Sequence, residues 1–322
     1  MSFQKKVFGV FSGIAVVLTA VFLFWAVYLH GNGGLVLGEK LAGQGVQKSA
    51  SSADKSADKL EVDFLDVGQG DAELIRAPGG QNILIDGGPN ARVIERLSDV
   101  LPPWDSQIDL MVLTHPHDDH VTGLIEVIKR YEVKKILYTG VSHTSPNYLA
   151  WLEIVRDKKI PLMIIDRPQS VLLADGKDGG DENREGARLE ILFPLESFLG
   201  KEAENLNNTS IVMRLVYGNT SFLFTGDAEE PEEKEMLEEG IDLSADVLKV
   251  GHHGSETATG EEFLKTVKPE MAVIEVGADN SFGHPSLRVL KRLDRVKAKI
   301  FRTDEEGSVR LVSDGEEISV KN

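Results

Sequence analysis

Short apolar runs recur from residue 60 to the end of the chain, and polar or glycine-rich turns separate them. Such runs are typical of strands, and stretches of helical periodicity lie between some of them. The helical stretches lie near residues 90–100, 121–131, 147–158, 231–239, 260–267 and 286–294. Strands are spaced like hairpins at both ends of this region and alternate with helices in the middle. We therefore predict an α/β (α+β) domain over residues 60–322, with two packed sheets and helices on the outer faces.

One longer apolar run, residues 7–29, precedes the domain and has no charged residue. At 1.5 Å per residue it can cross the roughly 30 Å hydrocarbon core of a bilayer. Lys5 and Lys6 precede it, while Trp25 and Tyr28 lie near its other end. Residues 1–29 are therefore predicted to form a cytoplasmic stub and a single transmembrane signal anchor, with the domain outside the cytoplasm. A cleaved signal peptide is the alternative, and the domain would then be secreted.

Composition limits the kinds of chemistry that the domain can perform. Residues 30–59 are rich in Gly, Ser, Ala, Lys and Asp, which predicts a flexible linker. The formal net charge of −17 argues against broad electrostatic binding of nucleic acid. Cysteine is absent, so disulfide partners and thiolate ligands are excluded, and any metal must be held by His, Asp or Glu.

Potential metal ligands stand at the ends of several apolar runs. Loops at one edge of such sheets gather side chains from distant parts of the sequence. The residues in these positions are Asp66, Asp86, His115, Asp227, His252 and His253. A single aspartate at a strand end is common in turns, but the joint pattern predicts one functional site.

The densest cluster is "LTHPHDDHVTG", residues 113–123. It contains His115, His117, Asp119 and His120 within six positions. Residues two apart on an extended segment can converge on one ion, while Asp119 and His120 can face a second. Imidazoles and carboxylates in this arrangement are typical of two-metal hydrolytic sites.

These motifs resemble those of the metallo-β-lactamase superfamily over about residues 60–322. The resemblance implies a four-layered αββα sandwich and two divalent ions, zinc or alternatively manganese. It assigns Asp86 of "LIDGG" to the first acidic motif, Asp227 of "FTGD" to a bridging ligand, and the "HHGS" pair to the last ligand. The implied metal ligands are His115, His117, Asp119, His120, Asp227, His252 and His253. The choice between His252 and His253 for the last ligand stays open.

A finer resemblance is to the extracellular domain of ComEC-type competence proteins and their free-standing relatives. It is carried by "FLDVGQGDA" (64–72), "NNTSIVMRL" (207–215), "LKVGHHGS" (248–255), "FGHPS" (282–286) and "RTDEEGSV" (302–309). The expected substrate contacts within these motifs are Asp66, Gln69, Asp71, Asn207, Asn208, Ser210, Ser255 and His284. Many family members have a further ligand histidine before the bridging aspartate. Here only His143 lies in that interval, so one ion is expected to have fewer protein ligands.

The resemblance points to hydrolysis of a phosphodiester, including DNA, by hydroxide from metal-activated water. Asp119 and Asp86 would orient that water, and His284 would contact a phosphate oxygen or protonate the leaving group. Two alternatives remain. One is a hydrolase of the same fold that acts on a carbon ester, thioester or β-lactam, and the other is a non-catalytic accessory protein of DNA uptake or the cell envelope. The oligomeric state stays open.

Overall fold

The computed structural model describes residues 59–173 and 186–321, all within one compact unit, Asp54–Asn322. The predicted transmembrane segment and residues 30–58 of the predicted linker lie outside the described residues. In residues 59–173 and 186–321, no helix is long and apolar enough to cross a membrane.

The first sheet has eight strands, numbered here in chain order across the whole domain. They are β1 (Leu60–Phe64), β2 (Glu73–Arg76), β3 (Asn82–Ile85), β5 (Leu110–Val112), β7 (Ile136–Tyr138), β8 (Leu162–Ile164), β16 (Val309–Ser313) and β17 (Ile318–Lys321). Their order is β17-β16-β1-β2-β3-β5-β7-β8. The half from β17 to β3 is antiparallel, and the half from β3 to β8 is parallel.

The second sheet has seven strands and the same division into halves. They are β9 (Gln169–Leu172), β10 (Arg188–Phe193), β11 (Val212–Tyr217), β12 (Thr220–Phe224), β13 (Val247–Lys249), β14 (Met271–Ile274) and β15 (Lys299–Arg302). The order is β15-β14-β13-β12-β11-β10-β9, with β9 to β12 antiparallel and β12 to β15 parallel. The short strands β4 (Gln107–Ile108) and β6 (Glu132–Val133) form a separate parallel pair.

Helices follow the parallel strands, because a parallel connection must cross back over the sheet. They are α1 (Arg92–Val100), α2 (Asp118–Arg130), α3 (Pro146–Lys158), α4 (Glu230–Glu238), α5 (Glu261–Val267), α6 (Leu287–Val296) and the short α7 (Thr303–Glu306). The six predicted helical stretches are confirmed as α1 to α6. The antiparallel run β9 to β12 lies within the region where we expected strands and helices to alternate. There the two-residue connection Gly218–Asn219 joins β11 to β12 as a hairpin.

Three apolar layers hold the sandwich together. Phe64 of the first sheet and Phe224 of the second stack with ring centroids 6.0 Å apart, inside a core contributed by both sheets. The opposite face of the second sheet packs against α4, α5 and α6 through residues such as Phe263 and Leu293. Helices α2 and α3 pack together, and their inward residues, including Leu124 and Trp151, are fully buried. The predicted pair of packed sheets with helices on their outer faces is confirmed.

A glycine contact fixes helix α2 against the loop that follows β3. An ideal Cβ on Gly123 would lie 1.7 Å from the carbonyl oxygen of Gly87, so no larger residue fits. The backbone of the loop is bonded to the helix on both sides, since Gly123 N donates to Gly88 O and Gly87 N donates to His120 O, each at 2.9 Å. The first turn of α2 is thereby held beside Asp86.

We predict that Gly123→Ala destabilises the domain by about 3 kcal/mol or more, because the added methyl group overlaps backbone that two hydrogen bonds hold in place. Urea unfolding of the full chain measures the change in the free energy of unfolding. Thr122→Ala, on the exposed side of the same helix turn, is the control and should change it by less than about 0.5 kcal/mol. Equal effects of the two substitutions would contradict the proposed close contact.

Candidate metal centre

The parallel strands of both sheets end at one edge, and polar side chains follow several of them. Asp86 follows β3, and His115 follows β5 by two residues. In the second sheet, Asp227 comes after β12 and Glu275 directly follows β14. The apolar strands thus deliver these groups to a common place, which is the arrangement that the sequence predicts.

The cluster at residues 115–120 is divided between a loop and a helix. His115 and His117 lie in the loop, and their rings are joined by a 2.9 Å contact between Nε2 and Nδ1. His117 is the N-cap of α2, so Asp119 and His120 project from its first turn. The partial positive charge at a helix N-terminus stabilises a carboxylate such as that of Asp119.

Asp86 supports His120 rather than facing the cleft. One of its oxygens accepts hydrogen bonds from Thr114 Oγ1 at 2.6 Å and His120 Nδ1 at 2.8 Å, and the other accepts from Thr114 N at 2.9 Å. Asp86 has no exposed surface. The expectation that it orients the reacting water is therefore corrected. Both oxygens of the Asp86 carboxylate accept these hydrogen bonds. Asp86 therefore acts by orienting the imidazole of His120.

Asp227 lies at the centre of the histidines. Its Oδ2 is 3.3 Å from Nε2 of His120, 3.6 Å from Nε2 of His253 and 3.8 Å from Nε2 of His115. Its backbone N–H donates to Ser210 Oγ at 3.1 Å. One carboxylate thus contacts the histidines of both sheets, and it is the residue for which the resemblance implies a bridging position.

The two adjacent histidines after β13 point to different surroundings. Both have left-handed backbone, with φ of 46° at His252 and 53° at His253. The buried His253 bonds through Nδ1 to Glu275 O at 2.9 Å and places Nε2 3.4 Å from Asp119. The partly exposed His252 bonds through Nδ1 to Glu229 Oε1 at 3.0 Å.

Five overlapping sets of side chains in the described residues have the spacing of metal ligands, and three of them contain the buried Asp71. The two sets made only of predicted ligands are His115 with His120 and Asp227, and Asp119 with His120 and His253. Within residues 59–173 and 186–321, His117 and His252 belong to no such set, although both line the adjacent cleft. The structure therefore brings five of the seven predicted ligands together and leaves these two at the margin.

Unsatisfied buried atoms indicate that this cluster suits a cation. Nε2 of His120, Nε2 of His253 and Oδ1 of Asp227 are buried and have no hydrogen-bond partner in the described part of the chain. Such atoms are costly unless a ligand satisfies them. Burial would lower the pKa of His253, but the carboxylates of Asp227 and Asp71 outweigh it and raise the pKa to about 10. This negative potential and the imidazole and carboxylate donors fit a divalent transition metal.

A cleft of about 380 Å³ opens beside the cluster. It is lined by Gln69, Pro116, His117, Asp118, Asp119, His143, Ser145, Asp227, His252, His253, Phe282 and His284. Of the predicted substrate contacts, Gln69 and His284 therefore lie on its wall. Asn207 is adjacent, with Nδ2 3.3 Å from a ring nitrogen of His252.

Other predicted substrate contacts lie away from the cleft. Asp71 is fully buried and holds Lys249 and His253, so it supports the site from behind. Asp66 pairs with Arg92 at 3.1 Å and lines a separate depression. These two expectations are corrected, because both carboxylates are engaged by cations outside the cleft.

The remaining three predicted contacts are placed around the backbone of the site. Ser210 is buried and accepts the bond from Asp227 N. Ser255, also buried, bonds to Thr257 Oγ1 at 2.9 Å, and Asn208 is partly buried with its Oδ1 unpartnered in the described residues. Ser210 and Ser255 are thus engaged within the protein, and neither lines the cleft. Asn208 does not line the cleft.

Sequence reasoning missed a buried lysine beneath the site. Lys249 has no exposed surface. Its Nζ contacts the carboxylate of Asp71 and donates to Gly226 O at 2.9 Å. Glu73 and Glu275 are buried beside this pair, and burial with the nearby Asp71 raises the pKa of Glu275 to about 8. The available signal was a charged residue inside each of three apolar strand runs, "VLKV", "AELI" and "VIEV".

We predict that Lys249→Met destabilises the domain by about 3–5 kcal/mol, because it leaves the Asp71 carboxylate buried without its cation. Urea unfolding of the full chain measures this change. Lys265→Met is the matched control, since Lys265 is 60% exposed and pairs with Glu262 on the surface of α5. That control should cost less than about 1 kcal/mol. If Lys249→Met lowers the free energy of unfolding by less than about 1 kcal/mol as well, the buried pair contributes little to stability.

Comparison with known proteins identifies the family of the chain. A sequence model of the metallo-beta-lactamase superfamily matches residues 65–274. The chain is similar to ComE operon protein 3 of Bacillus subtilis (strain 168), with 30% identity over 267 residues, 78% of this chain and 32% of that protein. It is 29% identical over 255 residues to Recombination protein 2 of Haemophilus influenzae, covering 78% of this chain and 28% of that protein. It is 28% identical over 260 residues to Competence protein ComA of Neisseria gonorrhoeae, covering 78% and 32%. The chain spans about a third of the length of these curated relatives.

Proposed function

The chain belongs to the metallo-β-lactamase superfamily, and from that membership we propose that it is a metal-dependent phosphodiesterase that cleaves DNA outside the cytoplasm. It is a hydrolase of this superfamily related to competence proteins. Beyond this membership, we propose that the bond it cleaves is a phosphodiester, that its substrate is DNA and that it acts outside the cytoplasm. The predicted anchor at residues 7–29 supplies the location.

The observation that carries the proposal is the set of unpartnered ligand atoms at the floor of an open cleft. His120 Nε2, His253 Nε2 and Asp227 Oδ1 are buried, close together and unsatisfied in the described residues. A non-catalytic accessory protein has no need of such costly groups beside a cleft. When bound there, two divalent ions lower the pKa of water and neutralise negative charge on a phosphodiester.

The protein holds two of the proposed ligands through a second group. His120 is held by Asp86, and His253 by the carbonyl oxygen of Glu275. Such bonds fix the tautomer and direct the other ring nitrogen toward the cation. We assign the ligands His115, Asp119, His120, Asp227 and His253 to two ions. We propose His117, whose Nδ1 lies 2.9 Å from Nε2 of His115, as a further ligand at the margin of this cluster.

His252 and His284 form one wall of the cleft, and we assign them to the substrate. Their ring centroids are 5.7 Å apart, and Glu229 fixes the His252 ring. The ring N–H of His284 donates a hydrogen bond to a phosphate oxygen there, and His252, whose Nδ1 is bonded to Glu229, borders the same position. Such short-range contacts suit a chain with a net charge of −17, which has little long-range attraction for phosphate.

The relatives support DNA as the substrate. One is named for competence and another for recombination, and both match the domain that carries the cluster. Because the chain spans about a third of these proteins, we propose only the hydrolytic step and no transport of DNA.

We predict that the full chain, loaded with Mn²⁺ or Zn²⁺, hydrolyses bis(p-nitrophenyl) phosphate and linear DNA and that a chelator abolishes both activities. Asp227→Asn should lower kcat on the order of 10²-fold, because the carboxylate contacts ligands of both ions. Asp157→Asn, at an exposed site on α3, should leave kcat unchanged. Nitrocefin or thioester turnover without phosphodiesterase activity would favour the alternative hydrolase of the same fold.

We also predict that His253→Ala weakens metal binding by tenfold or more, whereas His252→Ala weakens it much less. The reason is that His253 lies in a set with ligand spacing and His252 does not. Isothermal titration of the full chain with Zn²⁺ or Mn²⁺ measures both affinities. If His252→Ala has the larger effect, the assignment of the last ligand is reversed.

A further inference from the structure

Phe282 is an exposed aromatic residue on the wall of the cleft. Its side chain is 67% exposed, although burial of a phenylalanine is strongly favourable. Single exposed apolar residues are common on protein surfaces. This one differs because the surrounding loop holds it in position.

The side chain of Asn280 holds the loop at residues 277–284 through hydrogen bonds to its backbone. Its Oδ1 accepts hydrogen bonds from Phe282 N at 3.2 Å and His284 N at 3.0 Å. Its Nδ2 donates to His284 O and to Gly277 O, each at 2.8 Å. Four bonds from one amide therefore fix the turn, and the exposed ring keeps a defined position on the cleft wall.

The ring of Phe282 belongs to a row of three rings. It stacks on His284 with centroids 5.8 Å apart and an angle of 16° between the planes. His284 lies 5.7 Å from His252, whose Nε2 is 3.9 Å from Asp227 Oδ2. The row thus runs from an exposed aromatic face to the groups that we assign to phosphate and metal.

We infer that Phe282 stacks on an unpaired nucleobase of the substrate while the neighbouring phosphate lies at His284 and His252. This inference rests on the proposed function and narrows the substrate to single-stranded nucleic acid. In a duplex the faces of the bases are already stacked, whereas an unpaired base presents a free π-face to an aromatic side chain. Stacking also requires no positive charge, which suits an acidic protein.

The test compares two single-stranded decamers as substrates of the Mn²⁺-loaded full chain. One is oligo(dT), and the other carries an abasic tetrahydrofuran residue at every position, so it keeps the phosphates and lacks the bases. We expect Phe282→Ala to raise KM for oligo(dT) about tenfold, with kcat and the abasic kinetics unchanged. Phe282→Trp should restore KM, because it keeps a ring for stacking.

Leu287→Ala is the control for the loss of an exposed apolar side chain. Leu287 is 66% exposed, lies at the start of α6 and does not line the cleft, so its removal should change neither substrate's kinetics. Equal KM increases for both decamers in Phe282→Ala, or faster cleavage of duplex than of single strands by the wild type, would overturn the inference.

Failure of the proposed function has a different signature. If the wild type cleaves neither decamer nor bis(p-nitrophenyl) phosphate, the phosphodiesterase proposal is wrong. The stacking inference is then decided by fluorescence of Phe282→Trp. Quenching by oligo(dT) beyond that of the wild type, and none by the abasic decamer, supports it, and the absence of such quenching overturns it.

Discussion

The carboxylate of Asp227 contacts the imidazoles of both halves of the sandwich, and the rest of the site depends on that contact. Its Oδ2 lies within 3.9 Å of Nε2 of His115, His120, His252 and His253. A buried carboxylate is costly unless it is paired. Since Asp227 comes from the second sheet, and His115 and His120 come from the first, the two sheets must close over a shared negative charge.

Asp71 and Lys249 lie beneath Asp227 and form a second buried pair of opposite charges. Lys249 contacts Asp71 and lies 3.9 Å from Asp227, so its charge compensates both carboxylates from below. Burial raises the pKa of Glu73 and Glu275, the two glutamates beside this pair. A protein that places this many carboxyl groups under a metal site needs an internal cation on the side that the solvent cannot reach.

The cleft side is built differently. There the groups are partly exposed imidazoles and one exposed ring, each held by a short polar contact: His252 by Glu229, and the loop of Phe282 and His284 by Asn280. Rigid, local contacts replace the broad positive surface that nucleic-acid-binding proteins commonly use. The buried charged groups that would hold the proposed metals therefore lie below the cleft. The residues that we propose to recognise the substrate lie on the cleft wall.

The sequence by itself determined the sandwich and most of the proposed metal cluster. The helix stretches, the paired sheets and the ligand types at strand ends all follow from periodicity and from motifs such as "THPHDDH". Those features are local. Successive side chains of a strand point to opposite faces of the sheet, and the residues after parallel strands lie at the same edge of the sheet. The family resemblance implied in addition that Asp66 and Asp71 contact the substrate and that Asp86 orients the reacting water.

Only the tertiary structure decided which face each side chain occupies. Asp86 and Asp71 turn inward because Thr114, His120 and Lys249 offer them bonds from segments far along the chain. Likewise, His252 and His253 are neighbours in sequence and both line the cleft, but after their left-handed turn only His253 belongs to a set with the spacing of metal ligands. Partners distant in sequence leave no periodic trace, so the pairing of Lys249 with Asp71 and the outward ring of Phe282 appear only once the sheets are packed.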